Sequence, residues 1–209
     1  MAGAAAIGAF WTLERTAALL SRRNRGRKTL PPLLAFTDPE RTPDPEAVAE
    51  RLPRSAALVY RAFGAGDAEA QGARLMAVAG RRSLVLLIGA DAVLAARLGA
   101  DGVHLPERLA HRARRLKSAH PRWLVTGAAH SLTAARRALA AGCDAAVVST
   151  VFASRSASAG APLGSVRTAL LVRAIGGPVY ALGGIGEENA RRLLDAGLIG
   201  LAAVGAFGA

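Results

Sequence analysis

Val179-Tyr180-Ala181-Leu182-Gly183-Gly184-Ile185 runs from an apolar, strand-like start into two adjacent glycines. Ala190, Leu193, Leu194 and Gly197 then recur at i, i+3, i+4 and i+7, the spacing of one helix face. A second apolar run, Gly200 to Gly205, follows and passes into Val204-Gly205-Ala206-Phe207-Gly208, again rich in glycine. Strand, helix, strand in this order predicts two parallel strands joined by a crossover helix. Glycine at each strand end lets the backbone turn sharply and bring its N–H groups close to a bound anion.

Working back toward the N-terminus, the same alternation repeats. Strand candidates are Leu33–Thr37, Ala56–Arg61, Leu84–Gly89, Gly102–Leu105, Trp123–Gly127, Ala145–Thr150, Val179–Gly183 and Gly200–Gly205. Several are apolar through most of their length, as parallel strands buried on both faces must be. Helical patterns lie between them: Leu109, Ala113 and Leu116 share one face, and Ser131 stands as an N-cap before Leu132, Ala135 and Leu139. Gly99, Gly142, Gly176 and Gly197 mark helix ends or strand starts. Eight βα repeats in 209 residues predict a single α/β domain, a (β/α)₈ TIM barrel near the lower size limit of that architecture. An open dinucleotide-binding sheet is disfavoured, because no G-x-G-x-x-G follows the first strand.

The barrel is expected over 30–209, preceded by a basic extension over 1–29 that is mobile or helical. After Ala209 no residues remain for a helix behind the last strand, so the N-terminal extension or a partner subunit is expected to cover that corner. The net charge of +12 is carried almost wholly by arginine, and Arg15, Arg22, Arg23, Arg25, Arg27 and Lys28 cluster ahead of the barrel. A solvated basic surface accounts for most of this, and no nucleic-acid partner is implied. Trp11–Leu20 has an alternative reading as an amphipathic helix on a membrane surface. No apolar run reaches the ~18 residues of a membrane span. The arginines follow the apolar start instead of preceding it, the wrong order for a secretory signal. Cys143 is the only cysteine, so no intramolecular disulfide forms, and a small buried thiol is its expected role. A cytoplasmic protein, with homo-oligomers open, fits these features.

In this architecture chemistry belongs at the strand C-termini and the loops beyond them. Gly183, Gly184, Val204 and Gly205 are therefore candidates for phosphate binding, with two plain tight turns as the alternative. The chain-terminal carboxylate at Ala209 would lie near this site and oppose a phosphate. His130, in Gly127-Ala128-Ala129-His130-Ser131, is a candidate general acid or base. Packing against the next helix explains it equally well. Arg61 at the end of strand two, and Ser154 and Ser156 in the long loop 149–160, are further anion-binding candidates. A solvated arginine and a serine-rich loop are their alternatives. His104 has no cysteine or carboxylate at ligand spacing, so a metal role is not expected. Asp91 is read as a helix N-cap in preference to a magnesium ligand.

Four segments taken together, Ala100-Asp101-Gly102-Val103-His104-Leu105-Pro106, Ala129-His130-Ser131, Ser149-Thr150-Val151-Phe152 and Ala181-Leu182-Gly183-Gly184-Ile185, resemble the thiamin-phosphate synthase and thiazole tautomerase (TenI-type) family. The likeness covers roughly 30–209. It implies a transferase of thiamin biosynthesis, or a tautomerase, that binds a thiazole phosphate. In the synthase, magnesium holds the departing diphosphate, and the family pattern calls for Gln-x-Arg-x-Lys after strand two, Asn-Asp after strand three and an aspartate after strand four. Here the matching residues are Val59-Tyr60-Arg61-Ala62-Phe63, Gly89-Ala90 and Leu109, and Ala157 stands at the loop lysine. The tautomerase needs neither metal nor diphosphate, and its catalytic histidine matches His130. The resemblance therefore implies a tautomerase-like protein with no cofactor, an active synthase using magnesium as the alternative, or a non-catalytic binder of a thiazole or thiamin phosphate.

Overall fold

A computed structural model describes residues 13–22, 30–154 and 160–205. It places a helix, α1, over residues 13–22. Eight strands follow: β1 Leu33–Phe36, β2 Ala57–Tyr60, β3 Val85–Gly89, β4 Gly102–Leu105, β5 Leu124–Ala129, β6 Ala145–Val148, β7 Val179–Ala181 and β8 Gly200–Val204. They close in chain order into one parallel barrel, β8 pairing back onto β1. The helices between them are α2 Pro45–Arg51, α3 Ala68–Arg82, α4 Ala92–Leu98, α5 Ala113–Ala119, α6 Leu132–Ala140, α7 Gly164–Ile175 and the short α8 Glu187–Ala190. A 3₁₀ turn, Glu107–Arg112, leads into α5.

All eight expected strands are present; β4 has the expected bounds, and no end of the others moves by more than two residues. Those shifts fall where the ladder fades into loop: Thr37 still donates its N–H to the Val59 carbonyl at 3.0 Å, one residue past β1. Strand β5 begins after Trp123 and runs on to Ala129, carrying the chain two residues further up than expected.

Alternation along the strands splits the core in two. Leu34, Phe36, Ala57, Val59, Leu87 and Tyr180 belong to the cluster that fills the barrel. Leu33, Ala35, Leu58, Val103 and Val148 face outward into the cluster shared with the helices. A strand buried on both faces must be apolar at every position, and this is why the runs were legible. Helix ends match their expected chemistry: Asp91 accepts from Val93 and Leu94 N–H, Ser131 accepts from Ala134 N–H, and Gly99 and Gly176 close α4 and α7 in the left-handed conformation.

Leu13, Ala17 and Leu20 of α1 are buried and join the outer core. Each buried leucine contributes about 1.5–3 kcal/mol as an upper figure. The membrane-surface reading of this stretch is corrected accordingly, since the apolar face of α1 is already covered by protein. No described helix is long and apolar enough to cross a membrane. The segments 1–12, 23–29 and 206–209, and with them most of the basic cluster, lie outside the described residues.

Candidate functional site

The C-terminal mouth of the barrel holds a cavity of about 480 Å³. Its floor is set by two loops that zip together. Leu182 N–H donates to Val148 O at 2.8 Å, Val151 N–H to Leu182 O at 3.0 Å and Phe152 N–H to Gly183 O at 2.9 Å. These bonds hold the β6 and β7 loops edge to edge. Gly184 sits at φ +61°, and a Cβ there would strike the carbonyl oxygens of Ala153 and Phe152. No other residue fits this position without moving the loop. Asn189 secures the same turn from below: its amide donates to Gly184 O at 2.8 Å and its carbonyl accepts from Gly186 N–H at 3.1 Å.

Opposite this floor stand the tips of β8, β1 and β2. Val204 and Gly205 line the cavity, and Arg41, from the loop after β1, packs beside Gly205. Arg61 reaches in from the end of β2. Its Nε donates to Thr37 O at 2.7 Å, its backbone N–H to Thr37 Oγ1 at 2.9 Å, and an Nη to Asp38 at 3.2 Å. Phe36 and Phe63 lie within 5.7 and 5.0 Å of its guanidinium carbon. Burial lowers the pKa of Arg61, Asp38 opposes that shift, and the neighbouring Arg41 charge adds to it. Among the described residues, two guanidiniums against one carboxylate leave this mouth cationic.

The cavity thus gathers Arg61, Ser154, Gly183, Gly184, Val204 and Gly205 from among the expected residues. Ser156 lies outside the described residues. Arg41 and Asn189 were not singled out from sequence. Arg41 depends on a contact across the mouth that no local motif marks, whereas Asn189 is local, three residues after Gly186 at the start of α8.

His130 stands one strand away and does not line this cavity. It follows β5, and Ala129 before it accepts from Ser149 N–H at 3.2 Å, linking it to a residue that does. The imidazole is exposed and does not pack under α6. Its Nδ1 lies 2.8 Å from Glu107 Oε2, and the same oxygen accepts the His130 backbone N–H at 2.9 Å. Hydrogen bonding to His130 is the main cause holding the Glu107 carboxyl below its ordinary range. His104 is buried inside the barrel, 2.9 Å from Thr126 Oγ1 and edge-on to Phe36. It is a packed, neutral core histidine.

The residues at the expected magnesium positions do not fit the ion. Gly89 and Ala90 offer no carboxylate, and Leu109 packs against the core. Asp91 is engaged as the α4 cap and Glu107 with His130. Among the described residues no group of three or more His, Cys, Asp or Glu is placed to hold a metal. Magnesium prefers several carboxylate or phosphate oxygens, which these positions do not supply.

A larger cavity, about 950 Å³, opens at the other end of the barrel beside Val85, Leu124 and the stacked pair His120–Trp123. Its carboxylates are structural. Asp101 accepts from Leu86 N–H and Asp144 from Val125 N–H and Lys117, which pins strand starts. Residues at this end serve stability in such barrels.

A closed parallel ring with a cationic, glycine-built mouth at its C-terminal end defines a (β/α)₈ barrel of the kind that carries ligand chemistry on its βα loops. The chain belongs, more narrowly, to the TMP-TENI family, described as thiamine monophosphate synthase, whose model matches residues 33–207. It is 36% identical over 183 residues to a thiamine-phosphate synthase of Marinobacter nauticus, covering 84% of this chain and 82% of that one. It is 40% identical over 127 residues to the thiamine-phosphate synthase of Anaeromyxobacter dehalogenans, covering 59% of this chain and 56% of the relative. The match spans 28% of a bifunctional thiamine-biosynthesis protein of Geobacter sulfurreducens. The thiamine phosphate pyrophosphorylase of Pyrococcus furiosus shares the fold with a TM-score of 0.69 at 24% identity, covering 82% of this chain and 84% of that one.

Proposed function

We propose that the chain binds a thiazole phosphate at the barrel mouth and acts as a tautomerase-like enzyme. The observation that carries this reading is the cationic cavity built from Gly183, Gly184, Gly205, Arg41 and Arg61. The phosphate is held by backbone N–H groups of the β7 and β8 tips and by the guanidiniums. The ring then extends toward β5, where His130 Nε2 takes a proton from one ligand atom and returns it to another. Atoms and charge balance, and no metal or second substrate is consumed. Calorimetry with thiazole phosphate, with and without magnesium, tests the binding. Incubation with the thiazole carboxylate phosphate tautomer tests the turnover. Isomerisation at full rate by His130→Gln removes the assignment of His130.

The names of the relatives favour a second reading, an active synthase that joins a pyrimidine diphosphate to the thiazole phosphate. Arg61, which matches the family's arginine, supports it, and the uncharged Gly89, Ala90 and Leu109 oppose it. Diphosphate release that rises with magnesium decides for the synthase, and none across a magnesium titration decides against it.

A further inference from the structure

We infer that Glu107 is the positioning residue for His130: its carboxylate keeps the imidazole proton on Nδ1 and presents the Nε2 lone pair to the ligand. This rests on the reading of His130 as the proton-transfer group.

The argument begins with the single oxygen Oε2 of Glu107. It accepts the backbone N–H of His130 at 2.9 Å and faces the ring Nδ1 at 2.8 Å. A carboxylate that touches both main chain and ring fixes the ring's rotation as well as its place. An ionised carboxylate offers only acceptors, so the nitrogen facing it must carry the hydrogen. A neutral imidazole has one N–H, and Nε2 is then left as the base. The pair comes from two neighbouring strands, Glu107 opening the turn after β4 and His130 ending the run from β5.

Stability does not explain the pair. The side chains are 53% and 44% exposed, and ion pairs in such positions contribute little. The backbone on either side of His130 is fixed independently, by Ser149 N–H on Ala129 and by the Ser131 cap of α6. What the carboxylate adds is ring orientation and tautomer. In turnover it also faces the imidazolium that forms when Nε2 gains a proton, and Arg137 of α6 helps to keep the carboxylate ionised. Glu107 would touch no reacting atom.

The test uses the full chain labelled with ¹⁵N. Only His104, His111, His120 and His130 contribute imidazole signals, and His130→Gln identifies the one sought. The expected result is a neutral His130 with its hydrogen on Nδ1, moving to Nε2 in Glu107→Ala. Glu107→Gln, which keeps an acceptor oxygen, retains Nδ1–H. In turnover, Glu107→Ala lowers kcat about 10- to 100-fold with KM unchanged, and Glu107→Gln recovers part of it. A wild-type His130 with Nε2–H, or an Ala variant with an unchanged tautomer, overturns the proposal. The wild-type signal alone decides if Glu107→Ala does not fold. Full turnover by His130→Gln removes the catalytic reading of His130 while leaving the tautomer result to stand separately.

Discussion

Arg61 and Asp38 meet across the tips of β2 and β1 at 3.2 Å. That contact fixes a guanidinium at the barrel mouth before any ligand arrives. The fork is completed by Thr37 O, which takes Nε–H, so two donors of one planar group are placed by the chain just past β1, and the Arg61 backbone N–H is tied to Thr37 Oγ1 as well. Pre-placed charge loses little side-chain entropy on binding.

Arg61→Ala is therefore expected to weaken thiazole phosphate binding by about 10- to 100-fold, the range of one charge-assisted hydrogen bond. Arg61→Lys is expected to recover little, because an ammonium cannot make the planar fork with Thr37 and Asp38. Calorimetry on both variants checks this. Full affinity in Arg61→Lys would show that only charge matters there.

Gly184→Ala tests the floor of the cavity. The added Cβ meets the Ala153 and Phe152 carbonyl oxygens at a left-handed φ of +61°. Strain of this kind costs about 1–3 kcal/mol, seen as a lower denaturation midpoint, and the shifted loop loses the anion. Gly64→Ala is the control, at φ +80° with nothing within 4 Å of the added atom. It carries the conformational cost without the collision and leaves binding intact. Equal loss of binding in both variants would sink the role given to the β7 turn.

The strand order and the glycine tips were legible because each depends on local sequence. Val85–Gly89 is apolar wherever the barrel demands it, and Gly183–Gly184 stands where no side chain fits. The buried face of α1 was missed: Leu13, Ala17 and Leu20 keep helical spacing and are buried, but the arginines around them drew the reading toward an extension or a membrane surface. What remained hidden is non-local. Glu107 and His130 are 23 residues apart, Arg61 and Thr37 24, and no periodicity links them. Arg41 was one arginine among many until the fold set it beside Gly205.

Cys143 gives a sensor of global opening. Burial, with Asp144 adding to it, pushes its thiol up to about 12. The thiolate, the reactive form, is scarce near neutral pH. Labelling by a thiol reagent at pH 8 is expected to be negligible in the folded protein and complete in denaturant. Fast labelling under native conditions would mean that the β5–β6 side of the barrel opens locally.

His104 sets how the fold responds to acid. Burial inside the barrel, helped by the nearby Arg61 charge, lowers its pKa from 6.5 to about 3. The folded pKa is the lower one, so between these values the unfolded chain binds the proton and the native chain does not. Stability contributed by the neutral ring is complete above pH 6.5 and falls as pH drops toward 3, by up to about 1.4 kcal/mol per unit. Across the whole window that amounts to a loss on the order of 5 kcal/mol. His104→Gln keeps a hydrogen-bonding partner for Thr126 and cannot titrate. Its urea midpoint is expected to lie below the wild type at pH 8 and to fall less steeply between pH 6 and 4. Parallel midpoint curves for the two proteins would place the acid sensitivity elsewhere, in the carboxylates, and would mean that His104 takes up its proton without leaving the barrel.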